Sequence, residues 1–504
     1  MNKKFYLTTP LYYVNDTPHI GHSYTQIASD VLARYLRLAG YDVFFLTGTD
    51  EHGQKMERAA KEAGSSPQHF IDEKVKLFKK VWRKLHISND DFIRTSEVRH
   101  IEVVKAVYNS LYEKGDIYKG VYEGWYCTPC ETFFIDSQLV DGKCPDCSRE
   151  VDRVAEESYF FRMSRYQDQL LRYIEDNPEF IYPLSRRNEI LNFVKSGLKD
   201  LSVSRTGFKW GVPVPFDMKH VVYVWFDALL NYISACGYMN DKKRFERYWP
   251  ADVHLMGKDI LKFHAIIWPC MLFACGLNPP KKVFAHGWWT VKGEKMSKSK
   301  GNIVDPLKVI EKYGVDAYRY FLLREVVFGL DGDFSYEALE NRYNADLANN
   351  LGNLLHRTTS MAIKYYEGKI PEPASKDRID ERLKNMTEAL SDKIESLYEH
   401  LEFNGILQEI WMIIDSANKY VEESAPWNLF KTKNERLKTV IYNLAEVLRI
   451  VSIYLYPFMP EKATQICKQL GIKEVIKNMD QVEWGRLKPS TVVSKGLPLF
   501  PRIE

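Results

Sequence analysis

Residues 5–53 read FYLTTPLYYVNDTPHIGHSYTQIASDVLARYLRLAGYDVFFLTGTDEHG. FYLTTP, from Phe5, has the composition of a short strand and runs into a loop, LYYVNDTPHIGH. From Ser23 to Leu38 the apolar side chains Ile27, Val31, Tyr35 and Leu38 recur close to helical spacing, and Gly40 ends that helix. VFFLTGTDEHG, from Val43, is a continuous apolar run opening into a polar loop at Asp50, which predicts a strand buried on both faces. Strand, helix and strand within this length form a βαβ unit with a right-handed crossover, hence a parallel sheet. Ligands of such sheets sit at the carboxyl ends of the strands, and both loops lie on that edge.

At 504 residues the chain exceeds a single core, so roughly two to four domains are expected. Composition is that of a globular protein, 45% apolar and 27% charged, and a net charge of only +3 means that any polyanion site must come from local clustering. The amino terminus lacks the apolar stretch of a secretion signal. The longest apolar run, AIIWPCMLFACGL from Ala265, is too short to span a bilayer and contains Pro269, so it predicts a buried helix. A soluble cytoplasmic protein with reduced cysteines and no membrane partner is expected.

The fold class expected is α/β, a Rossmann-type parallel sheet split by an insertion and followed by an all-α bundle. Residues 1–115 form the first half of the sheet domain and 116–215 the insertion. The sheet resumes over 216–285 with VVYVWFDALLNYI, from Val221, and DVHLMGKDILKFH, from Asp252. Residues 286–342 carry a lysine-rich loop and a linking region; from 343 to 504 helical periodicity dominates.

Within the insertion, Cys127 and Cys130 form one C-x-x-C and Cys144 and Cys147 another, inside a knuckle at about 122–152. Two thiolate pairs on tight turns can meet around a tetrahedral Zn²⁺; two disulfides are the alternative and fit the compartment poorly. A closed four-sulfur shell has no open position, so this metal would serve folding.

Two further motifs carry chemistry. HIGH, His19 to His22, stands ahead of the first long helix, whose unpaired N–H groups and dipole suit phosphate. Gly21 removes a Cβ that would block a nucleotide. KGEKMSKSKGN, residues 292–302, places Lys292, Lys295, Lys298 and Lys300 on one flexible segment. Such a loop is either a solvated turn or a clamp for a polyanion.

The pair HIGH and KMSKS, in that order and split by a zinc-bearing insertion, resembles the class I aminoacyl-tRNA synthetases. PLYYVNDTPHIGH, TGTDEHG, YVWFDALLNYI, GKDILKFH, HGWWTVKGEKMSKSKGN, NADLANNLGNLLHR and SAPW narrow the resemblance to the bacterial type of the methionyl-tRNA synthetase family, along essentially the whole chain. The resemblance implies activation of L-methionine by ATP, with Mg²⁺ on the phosphates, then transfer to the terminal adenosine of elongator and initiator tRNA(Met). It implies that His19, Gly21, His22, Lys295 and Lys298 serve catalysis, and that Gly257, Lys258, Asp259, His286 and Trp289 surround adenine and ribose. Leu11, Tyr13, Trp225, Ala228, Tyr232, Ile260 and His264 would line the methionine pocket, with Asp50 at the α-ammonium. In the bundle, Asn353, Arg357 and Trp427 would read the anticodon, a mode expected of single-stranded RNA loops. The chain ends at Glu504 with no appended module, from which a monomer is expected. Rival readings are a cysteinyl-tRNA synthetase, which would need an open zinc position, a silent tRNA-binding paralogue, and a zinc-ribbon nucleic-acid-binding protein.

Overall fold

The computed structural model describes residues 3–503 apart from 16, 129, 131, 135, 146 and 297–300, and not the side chains of 132, 133, 137 and 295. Its central sheet is built from β1 (Lys4–Tyr13), β2 (Asp42–Asp50), β3 (Asp91–Arg94), β4 (Ile181–Tyr182), β5 (Val253–Gly257) and β6 (Val283–His286). The spatial order is β3-β2-β1-β5-β6-β4, and every neighbouring pair is parallel. From β1 the chain moves outward to β2 and β3; β5 then pairs on the opposite side of β1. The crevice beyond the carboxyl ends of β1 and β5 is therefore the topological switch point, where α/β sheets take their ligands.

Several local expectations change. β1 continues to Tyr13 instead of turning into a loop after Pro10, with a register shift between Thr8 and Leu11. Pro10 has no N–H to give the ladder, so pairing is interrupted there and resumes at Leu11. The first helix, α1, spans Ile20–Leu38 and so contains Gly21 and His22. VVYVWFDALLNYI does not rejoin the central sheet. Its first residues end a strand, Asp217–Val222, of a separate three-stranded sheet, and the rest forms buried helices Val224–Leu229 and Asn231–Ala235. A short apolar run cannot separate a buried helix from a buried strand. Inside the span 116–215 the chain also returns once to the central sheet, as β4 against β6.

The first part of that span is an antiparallel ribbon. Strands Ile117–Cys127 and Asp152–Phe161 pair from Ile117 opposite Phe161 to Tyr126 opposite Asp152. The carboxyl-terminal helices surround Arg436–Leu455, which is buried on every face from Thr439 to Leu455. One apolar cluster runs from the α1 side of the sheet into this bundle, and a second fills the opposite side of the sheet. At the junction Arg319 is fully buried and donates to Asp30 Oδ2 (2.7 Å) and to the carbonyls of Leu85, Pro457 and Phe458. α1 is thereby tied to the turn that follows the central helix of the bundle.

Candidate active site

The amino terminus of α1 is capped by imidazoles. His19 Nδ1 accepts from the Gly21 N–H at 3.1 Å, and His22 Nδ1 accepts from the His19 N–H at 3.1 Å, a capping box without Ser or Glu. A neutral imidazole that accepts at Nδ1 carries its proton on Nε2. Burial, with His19 and Lys55 nearby, pushes the His22 pKa well below its ordinary value, so His22 is a neutral N–H donor at physiological pH. A Cβ on Gly21 would lie 3.0 Å from His19 Cε1 and 3.2 Å from Nδ1, so the glycine is needed to seat the His19 ring.

Beside this turn, between β1, the end of β2 and the helices after Tyr223, lies a cavity of about 20 Å³. Leu11, Tyr13, Asp50, Trp225, Ala228, Tyr232 and His264 line it, as do Pro10, Leu229 and Asn231. The first seven stand among the residues expected to hold methionine. The eighth, Ile260, is not in the wall but its carbonyl accepts from His264 Nδ1–H at 3.0 Å. That bond leaves His264 Nε2 to accept the Tyr232 hydroxyl at 2.7 Å. Burial lowers the His264 pKa to about 4, which keeps the ring neutral. Trp225 stacks on Phe263 at 3.7 Å, so the space left is about that of one water. Asp50 is 3% exposed and pairs in register with Tyr13.

The chain text gave no sign of what holds these walls. Asp227, between Trp225 and Ala228, is fully buried and accepts from His52 Nδ1 at 2.7 Å and from His100 Nε2 at 2.8 Å. Burial alone would raise its pKa, but the two imidazoles outweigh that and hold the carboxyl below its usual range. Asn231 is also buried. Its amide N–H donates to the Ala228 carbonyl at 2.7 Å, while its Oδ1 has no hydrogen-bond partner among the described residues.

At the end of β5, Gly257 lets the chain turn back: a Cβ there would lie 2.6 Å from Asp259 Oδ1. Lys258 bonds both oxygens of Asp331 at 2.6 and 2.7 Å, and Trp288 Nε1 donates to Asp259 Oδ1 at 3.1 Å. Trp288 and Asp331 were not singled out in the sequence. His286 and Trp289 are 4% and 2% exposed. His286 is engaged at both nitrogens, by the Gly287 carbonyl at 2.7 Å and Thr25 Oγ1 at 2.7 Å, so it can shape the crevice wall but has no nitrogen to spare.

The lysine loop begins in a two-residue hairpin. Val291 opposes Glu294 across Lys292 and Gly293, both at positive φ, and Thr290 opposes Lys295. Lys298 lies outside the described residues. The chain beyond the loop is anchored: the Val304 carbonyl accepts from the Ile20 N–H at 3.2 Å, between His19 and Gly21. The histidine pair and the exit of the lysine loop therefore meet at one helix terminus.

At the end of the ribbon, the sulfurs of Cys127, Cys130, Cys144 and Cys147 lie within 4.8 Å of one another. Cys127–Cys147 is 3.6 Å and Cys144–Cys130 is 3.9 Å. Zn–S bonds of ~2.3 Å in a tetrahedron separate sulfurs by about 3.8 Å, so this set can hold zinc. The cysteines are free thiols, not disulfides. In the bundle, Asn353 is exposed and Arg357 on the same helix pairs with Glu422 at 2.6 Å. Trp427, 40% exposed, is the second residue of the helix Pro426–Lys431.

A family model described as tRNA synthetases class I (M) matches residues 5–156 and 149–359. A second, described as the anticodon binding domain of methionyl tRNA ligase, matches residues 370–503. The methionine–tRNA ligase of Caldanaerobacter subterraneus subsp. tengcongensis is 58% identical, over 100% of this chain and 80% of that protein. Mycobacterium tuberculosis methionyl-tRNA synthetase in complex with methionyl-adenylate superposes with a TM-score of 0.96 at 43% identity, over 99% of this chain and 100% of that one. The apo form of the same enzyme superposes with a TM-score of 0.89 at 40% identity, over 100% and 99%. The chain belongs to the methionyl-tRNA synthetase family of class I.

Proposed function

We infer that the chain is a methionine–tRNA ligase, which activates L-methionine with ATP and transfers it to the terminal adenosine of tRNA(Met). What supports this most is the meeting, at the switch point of the sheet, of the capped α1 terminus, the cavity beside Asp50 and the exit of the lysine loop.

In the first step a methionine carboxylate oxygen attacks the α-phosphorus of ATP. The new O–P bond forms as the bond to the β-phosphate oxygen breaks, and pyrophosphate leaves. Little proton transfer is needed, so catalysis is positioning and charge stabilisation. His19 and His22 present N–H groups at a helix terminus that already favours phosphate. Lys295 and Lys298 neutralise charge on the leaving pyrophosphate. Gly257, Lys258 and Asp259 with Trp288 hold the adenosine, and His286 and Trp289 back the wall. Asp50 pairs with the α-ammonium. Leu11, Tyr13, Trp225, Ala228, Tyr232 and His264, backed by Ile260, take the thioether, for which sulfur–aromatic contacts contribute about 0.3–1.5 kcal/mol. A cavity of about 20 Å³ is about the size of one water, so that side chain enters only as the walls move apart. In the second step a ribose hydroxyl of the tRNA terminus attacks the acyl carbon; the acyl–O bond to phosphate breaks, and AMP departs with that electron pair while a phosphate oxygen takes up the hydroxyl proton.

Mg²⁺ accompanies ATP. Zn²⁺ would be held by the four cysteines, where it would supply folding energy to the ribbon. Asn353, Arg357 and Trp427 read the anticodon of initiator and elongator tRNA. The domain limits are those read from the sequence, except that β4 belongs to the central sheet although it lies within 116–215; no described helix is long and apolar enough to cross a membrane.

Amino-acid-dependent ATP–pyrophosphate exchange across the proteinogenic set tests the substrate. Exchange should depend on methionine alone; equal stimulation by cysteine or isoleucine would overturn the reading.

A further inference from the structure

On the amino edge of the sheet, opposite the active-site edge, lies a cavity of about 480 Å³ between the sheet domain and the helical bundle. Phe5 and Val253, near the starts of β1 and β5, form its floor, and strand rise puts Phe5 roughly 25 Å from Tyr13. The volume is that of a small-molecule site.

Two features of its lining agree on one ligand chemistry. The first is aromatic: Tyr35 from α1 stacks on Tyr398 from the bundle, with centroids 3.6 Å apart and planes within 7°, and Phe5 and Tyr41 add a second pair. The second is charge. Glu395 and Glu399 line the cavity and make no ion pair among the described residues. The lysines nearby are engaged: Lys281 with Asp252 at 2.7 Å, and Lys282 with the Glu399 carbonyl at 3.2 Å and near Glu179 at 3.9 Å. The carboxyl end of α1 reaches the same space at Ala39, adding the negative end of its dipole. Burial and the fields of Glu395 and Glu399 all raise the Tyr35 pKa, as expected of a site that disfavours further negative charge.

We propose that this interdomain cavity binds a small organic ammonium ion, seated on the Tyr35–Tyr398 aromatic pair and paired with Glu395 and Glu399. Ammonium over an aromatic face is attracted by the ring quadrupole, more strongly where water is excluded. An occupant would brace α1 against the bundle from the edge that substrates do not use.

Calorimetric titration of the full chain, free of tRNA, with spermidine, with phenethylamine and with a neutral diol of spermidine's length tests this. One or both amines should bind saturably and the diol should not; whichever amine binds tells an aliphatic from an aryl source. The Glu395→Gln/Glu399→Gln double variant should weaken amine binding about tenfold, and Tyr398→Phe about threefold. The double variant changes exposed positions and its melting curve reports folding; Tyr398→Phe keeps the ring if it does not fold. The proposal fails if neither amine binds saturably in the millimolar range, if the diol binds as well, or if binding is unchanged in both variants.

Discussion

His22 and His264 show how burial sets a residue's role. Each is neutral because its site resists charge, and each has its tautomer fixed by a bond at Nδ1. Gly21 supports the first of these. Gly21→Ala should push the His19 ring off its seat and lower the rate of methionyl-adenylate formation roughly 10–100-fold, with the melting temperature little changed. Loss of stability equal to the loss of rate would show a folding role instead. His264 makes a pH prediction with a definite sign. Its pKa falls from 6.5 to about 4 on folding, so the unfolded chain takes up the proton first as pH drops. The stability it contributes is complete above pH 6.5 and is lost as pH falls from 6.5 toward 4. Melting temperature should decline across that window, and His264→Gln should give a shallower slope while melting lower at neutral pH. The motif residues were legible because glycine, histidine and lysine stand out at the ends of periodic segments. Asp227 was not, because its partners, His52 and His100, are distant in the chain and leave no local pattern.

Two elements carry most of the arrangement. α1 begins at the histidine pair and passes Asp30, which is buried against Arg319 and Arg34. Burial would raise the Asp30 pKa, but the two guanidinium groups prevail and hold the carboxyl below its ordinary value. Arg319→Leu leaves that carboxylate buried with a single cation and strands three carbonyls. Urea unfolding should show a loss of about 3–5 kcal/mol, and Asp30→Leu in the same chain should recover part of it. A loss under 1 kcal/mol, about that of a surface pair, would mean that the junction does not depend on this arginine. The ribbon Ile117–Phe161 is the other element. Cys127→Ser should abolish zinc binding and remove hydrogen-exchange protection from residues 117–161, while adenylate formation stays within about tenfold of the parent because no ribbon atom lines the methionine cavity. Protection unchanged after zinc removal would contradict a folding role for the metal. The ribbon was legible from its paired cysteines. VVYVWFDALLNYI was misread as strand because a helix buried on all sides shows no polar face.

At the scale of the molecule, the order β3-β2-β1-β5-β6-β4 brings residues from both ends of the first 304 positions to one crevice. The βαβ opening and the late helical periodicity were enough to expect a split sheet and a bundle. They could not reveal that β4 returns to the sheet from within the insertion, because two residues, Ile181 and Tyr182, carry no periodicity. The proposed reaction needs the histidine pair and the lysine loop to act on one triphosphate, and the Ile20–Val304 bond ties the chain after the loop to the helix that carries the pair. Rapid-quench measurement of methionyl-adenylate formation in Lys298→Ala tests it most directly. The rate should fall roughly 10²–10³-fold with methionine affinity unchanged, since the lysine meets charge that develops only in the transition state. An unchanged rate would contradict the account.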